Sequence, residues 1–216
     1  MEEQKHISTA FDKDLSELNA MVQKLGSLAI TQFETAIDAL ATQHMETLDH
    51  VISNDAKLDE LEAAINEKAV EVIALRSPHA RDLRQVLVAL KIATILERTG
   101  DYARNIANRT RVIAQAGNEN IPGVNIGRMG QVAQEMLRDV MQAYDGHDAK
   151  LALEVWHRDI EVDHMHTAFY KEVLASMARD PNFVATGAHL LFMAKNIERI
   201  GDCLLYTSPS PRDTEV

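Results

Sequence analysis

Apolar residues return every three or four positions over most of the chain, the spacing of one buried face of an α-helix. From Ser8 to about Gln43 the stripe reads Leu15, Leu18, Val22, Leu25, Phe33, Ile37 and Leu40. From Glu46 to Leu75 it reads Val51, Leu58, Leu61, Ile65 and Val72. Ser77-Pro78 ends this second helix, because the residue before a proline avoids the α region. A third helix is predicted from about His79 to Ala116, and GNENIPGVNIG (117–127) reads as a linker rich in Gly and Asn. The order then recurs: a helix to about Tyr144, a break at Asp145-Gly146, a helix to about Arg179, a break at Asp180-Pro181, and a last helix. The pattern predicts an all-α fold of six long helices.

The recurrence is a true internal repeat. Shifted by 104 residues, Gly26 falls on Gly130, Val51 on Val155, Asp55 on Asp159 and Asp59 on Asp163. After the second break the shift is 101, and Glu97, Arg98, Gly100 and Asp101 fall on Glu198, Arg199, Gly201 and Asp202. One three-residue deletion in the inter-helix turn reconciles the two offsets. The predicted organisation is two tandem three-helix bundles, 1–116 and 127–203, joined by a linker over 117–126. Residues 204–216 break the pattern: Tyr206 stands where the repeat calls for Asn, and Ser-Pro-Ser-Pro cannot continue a helix. That tail reads as non-native sequence, with the last helix cut short before it.

The repeat places acids in pairs. DxxxD occurs in the second helix of each unit, at Asp55/Asp59 and Asp159/Asp163, and ExxxD in the third, at Glu97/Asp101 and Glu198/Asp202. Residues four apart share a helical face. If helices two and three form an antiparallel hairpin about Pro78, Asp59 comes level with Glu97 and Asp55 with Asp101. The second hairpin, folded about Asp180-Pro181, levels Asp163 with Glu198 and Asp159 with Asp202. Each hairpin thus gathers four carboxylates, bordering the apolar stripe rather than filling it. Glu62 extends the first set along the same face, and His166 sits at the matching position of the second. Oxygen-rich clusters of this kind suit hard divalent cations, and iron, zinc or manganese also accept carboxylate and imidazole ligands. The competing reading is that Arg98 and Arg199, beside the acids, neutralise them as ion pairs.

Composition narrows the function classes. The formal net charge is −11, with 46% hydrophobic and only 5% aromatic residues. A duplex nucleic-acid binder needs a basic footprint, so that class is excluded. The longest apolar run, VLVALKIATIL, contains Lys91 and is too short to span a bilayer. The N-terminus lacks the basic and apolar regions of a signal peptide, and Cys203 is the single cysteine, which fits a cytoplasmic protein. No phosphate-binding glycine loop or nucleophile elbow is present. Glu161-x-x-His164 supplies one of the two ExxH motifs of a di-iron bundle enzyme; that enzyme class and a metal-free helical adaptor are the alternatives. Trp156 and the methionines read as core, and His44 and His50 as surface.

LERTGDYARNIA (96–107), the paired IERIGD (197–202), the DxxxD helices before them and SPHARDLR (77–84) together resemble the PhoU family over about His6 to Asp202. The resemblance implies a non-enzymatic bacterial regulator that dampens phosphate uptake. It implies two partners, the ATPase subunit of the phosphate ABC transporter and the phosphate-sensing histidine kinase, and a homodimer. It also implies metal ions (iron, zinc, manganese or magnesium) on the E/DxxxD residues, here Glu97, Asp101, Glu198 and Asp202, with Asp55, Asp59, Asp159 and Asp163 opposite.

Overall fold

The computed structural model describes residues 2–42, 44–117 and 124–205. The described residues form six long helices: α1 Glu2–Thr42, α2 Met45–Arg76, α3 Arg81–Gln115, α4 Val124–Gly146, α5 Ala149–Arg179 and α6 Val184–Leu205. A single 3-10 turn, Pro181–Phe183, precedes α6, and no strand occurs among the described residues. The sequence stripes become the core. Leu18, Val22, Leu25, Ala29 and Phe33 of α1 are fully buried, as are Leu58 and Ile65 of α2. Each large side chain so buried contributes about 1.5–3 kcal/mol relative to an exposed one.

Helices α1, α2 and α3 pack mutually, as do α4, α5 and α6; α1 meets α4 and α3 meets α6 to join the two bundles. This leaves α2 and α5 as the outer helices. The join obeys the repeat. A Cβ on Gly26 would lie 2.5 Å from Met141, and one on Gly130 would lie 2.7 Å from Ile37. Gly26 and Gly130 are repeat equivalents, and so are Ile37 and Met141. Each glycine therefore opens a hole for the same knob from the other bundle, in an antiparallel crossing related by a pseudo-twofold axis. On the α3–α6 side, the Arg109 guanidinium stacks 4.2 Å over the Phe192 ring, a cation–π contact.

The two hairpin turns differ in construction. Ser77 ends α2 in the left-handed region (φ 45°, ψ 55°), its N–H bonded to the Ile73 carbonyl, and Ala80 also has a positive φ, 47°, with ψ −108°. The second turn is more relaxed: Asp180 accepts from the Asn182 N–H and Pro181 opens the 3-10 turn. Two boundaries depart from the sequence expectation. α4 begins at Val124, inside the span read as linker, because its buried apolar stripe already starts at Ile126, one turn before Met129 and Ala133. α6 reaches Leu205, two residues past the expected end of the second bundle; residues 206–216 of the tail lie outside the described residues. Trp156, expected in the core, is 38% exposed on the outer helix α5.

Candidate functional site

The hairpins bring the acids together as the levelling argument requires. In the first bundle the Glu97 carboxyl is raised in pKa by its burial and then by Asp101, Asp59, Glu62 and Asp55. In the second, burial, Asp163, Asp202 and Glu198 push Asp159 up to about 6. Asp202 is raised as well, by burial and then by Glu198. Four carboxylates are therefore within electrostatic reach of one another in each bundle.

Their burial is uneven, and here the expectation that the acids merely border the core is corrected. Asp55 and Asp159 are only 5% and 6% exposed. Asp59 and Asp163, one turn further along, are exposed, and Glu97, Glu198, Asp101 and Asp202 are half-buried. The inward members sit where each outer helix leans closest on its partner. Glycine makes that approach possible. A Cβ at Gly100 would overlap Leu58, and a Cβ at Gly201 would overlap the Asp159 carboxylate. An interior glycine costs a helix about 1 kcal/mol relative to alanine; close contact with the preceding helix offsets that cost in both copies.

The two quartets are neutralised differently. In the first, Arg104 of α3 reaches between Asp55 and Asp101, bonding Asp55 Oδ2 and, at 2.5 Å, Asp101 Oδ1. The guanidinium occupies the place of a cation. Asp55 nonetheless stays raised, because desolvation outweighs the attraction of Arg104. Thr94 donates to Glu62 Oε1 at 3.3 Å and holds it against α3. Arg98 and Arg199, the neutralising candidates read from sequence, are both exposed on the outer face. Arg104 was legible as the arginine three residues after Asp101, one helical turn on and on the same face.

In the second quartet the offset of 101 places Leu205 where the first has Arg104. Without a guanidinium, the Asp159 carboxylate turns in over Gly201. Lys195 bonds Glu198 Oε1 at 2.5 Å from the same helix. Glu198 Oε2 is buried with no hydrogen-bond partner among the described residues. His166 is half-buried beside Tyr170, ring centroids 6.4 Å apart. Among the described residues, no three His, Cys, Asp or Glu side chains converge on one point as ligands. A cation would draw the carboxylates inward by rotamer changes. The donor chemistry of the second quartet fits a hard cation, since it has an orphaned buried oxygen and too little positive charge. The first quartet fits one only after Arg104 is displaced. Glu161 and His164 are exposed and face away from the acids, so the ExxH pair builds no part of this site. A cavity of about 330 Å³ between the bundles, lined by Asn19, Arg84, Tyr144 and His147 among others, contains none of the quartet acids.

Comparison with known proteins gives this geometry a context. The PhoU domain matches twice, over residues 22–110 and 126–206. The chain is 40% identical to the phosphate-specific transport system accessory protein PhoU homolog of Caulobacter vibrioides, over 91% of this chain and 86% of that protein. The homolog of the same name from Zymomonas mobilis is 37% identical over 91% and 83%. Among solved structures, PhoU from Pseudomonas aeruginosa superposes with a TM-score of 0.89 at 27% identity, covering 91% of this chain and 94% of that one. The phosphate transport system regulatory protein PhoU from Streptococcus pneumoniae gives 0.84 at 26% identity, covering 91% and 92%. No helix among the described residues is long and apolar enough to cross a membrane.

Proposed function

The chain belongs to the PhoU family, and from that premise we propose that it is a cytoplasmic, non-enzymatic regulator of phosphate transport and phosphate-starvation signalling. It acts by binding the ATPase subunit of the phosphate ABC transporter and the phosphate-sensing histidine kinase. The two-fold PhoU match, with relatives named as transport accessory proteins, is the observation that carries the reading. A net charge of −11 suits a protein that docks on basic partner surfaces and remains soluble between them.

The carboxylate quartets are its cation sites. Asp159, Asp163, Glu198 and Asp202 hold a metal ion in the second bundle, with His166 alongside. Asp55, Asp59, Glu97 and Asp101, with Glu62, hold one in the first once Arg104 moves aside. The bound ion supplies positive charge that these residues otherwise lack. It thereby locks each outer helix onto the third helix of its bundle. Hard oxygen donors favour magnesium, manganese or iron, and the imidazole of His166 also admits zinc.

The partner reading is tested by pull-down of the purified transporter ATPase subunit on this chain at physiological salt, beside an unrelated ABC ATPase. Selective enrichment of the phosphate-transporter subunit is expected. Equal recovery of both proteins refutes that partner.

A further inference from the structure

We propose that Arg98 and Arg199, with the Tyr102 hydroxyl between them, form a binding site for inorganic phosphate on the α3–α6 face. The site is separate from the carboxylate quartets. Its residues lie on one stripe of each helix. Lys91, Arg98, Tyr102 and Arg109 follow one another on α3 in steps of seven, four and seven, so they share a face. At the offset of 101 the first three recur on α6 as Phe192, Arg199 and Cys203. The two stripes meet. Arg109 stacks over Phe192 and donates to His189 Nδ1 at 3.4 Å, and Thr110 donates to the Met193 sulfur at 3.6 Å. Further along, Tyr102 stands against Cys203, so α3 and α6 run antiparallel.

Arg98 and Arg199 are repeat equivalents, and each stands one turn before the Tyr102–Cys203 pair on its own helix. Because the helices are antiparallel, the two arginines approach that pair from opposite sides. Four residues of helix span about 6 Å, a distance that an extended arginine side chain covers. Both charges are felt at the phenol: burial pushes the Tyr102 pKa up, Cys203 adds to this, and Arg199 and Arg98 each pull it down. Both arginines are exposed, and neither bonds a carboxylate among the described residues. Arg199 tempers Asp202, three residues on, without an ion pair. The quartet acids of α3 and α6 face the outer helices instead. Two unpaired cations on one patch repel each other, in a chain whose net charge is −11, and an anion between them relieves that repulsion. The donor set selects which anion. Guanidinium and phenol supply N–H and O–H donors. A carboxylate is satisfied by a single guanidinium fork, whereas tetrahedral phosphate presents separate oxygens to two guanidiniums and a hydroxyl at once. The cavity of about 330 Å³ between the bundles includes none of these three residues, so nothing beside the site is shaped for the organic part of a phosphate ester. Bound phosphate bridges α3 and α6 and ties the two bundles together.

Isothermal titration of the chelator-stripped chain with inorganic phosphate, at physiological ionic strength, tests the site. The chain is used alone, so neither a transporter subunit nor a quartet cation enters the reading. One saturable site is expected. Arg98→Gln and Arg199→Gln should each raise Kd by about tenfold or more, and Tyr102→Phe by about threefold, as expected for lost charged and neutral hydrogen bonds. Lys91→Gln, on the same stripe, should leave Kd unchanged. The two arginines are exposed, so helical melts without phosphate should match the wild type, and only the upward shift of the melt by phosphate should be lost. Absence of saturable binding overturns the proposal. So does a site indifferent to any of the first three variants, one weakened equally by Lys91→Gln, or one that takes glycerol phosphate more tightly than inorganic phosphate.

Discussion

The two bundles carry the same four acids at the same level of the same hairpin, yet they solve the problem of gathered negative charge in opposite ways. The first brings its own cation: Arg104 spans Asp55 and Asp101. The second has Leu205 at the repeat-equivalent position and is left with an Asp159 pushed up to about 6 and a buried, unpartnered Glu198 Oε2. A carboxylate cluster of this kind does not by itself define a metal site. What distinguishes the two is the residue one turn beyond the motif, which decides whether the cluster is already satisfied. The first quartet is compensated by a residue of its own chain, and the second is left with negative charge that no guanidinium offsets.

The largest effect should come from breaking the first arrangement. Arg104→Ala leaves Asp55 buried without its partner. Breaking one side of a buried ion pair costs 3–5 kcal/mol, and the partial exposure of Arg104 lowers this to about 3 kcal/mol. Urea denaturation in chelator measures it, and a loss below about 0.5 kcal/mol would mean the pair is ornamental. The same variant should acquire cation-dependent stabilisation in the first bundle, making it resemble the second.

The second arrangement should announce itself through pH. The folded pKa of Asp159 lies above its ordinary value of 3.8, so the folded state binds the proton more tightly than the unfolded chain does. Stability in chelator is then highest below about pH 4 for this group. It falls as pH rises towards 6, by about 2 kcal/mol after discounting for solvent. Asp159→Asn should flatten that slope, which thermal melts at pH 4.5 and 7 would reveal. An unchanged slope would exclude Asp159 as its source. The smallest effect is expected from Glu198→Gln. It removes charge from beside Asp159 and Asp202 but also weakens the bond from Lys195, which then goes to a neutral amide oxygen, for a net gain of about 0.5 kcal/mol without cation. A loss of more than 1 kcal/mol would mean the Lys195 pair dominates.

Most of the architecture was legible in the chain because helical period and repeat offset are both local arithmetic. The stripe through Leu18, Val22 and Phe33 became the core, and the two Pro-marked breaks became the turns. The levelling of Asp55 with Asp101 followed from the turn position alone. What the reading of the sequence missed lay in helix phase, which was legible, and in packing, which was not. Arg98 lies nearer the motif than Arg104, but helix phase turns Arg98 outward and brings Arg104 in over Asp55. Trp156 reads as core on size alone, whereas its phase on α5 leaves it on the outer face. The burial of Asp55 and Asp159 depends on how closely each outer helix approaches Gly100 and Gly201, and that distance is set by both helices together.

The central claim is that the second quartet is the preferred cation site because the first already holds a guanidinium. Manganese titration of the chelator-stripped chain, read by the loss of the free-ion electron paramagnetic resonance signal, tests it most directly. The wild type should show one tight site, with Asp59→Asn/Glu97→Gln retaining it and Asp159→Asn/Asp202→Asn losing it. Tight binding that survives the Asp159/Asp202 variant and disappears with the Asp59/Glu97 variant would contradict the account.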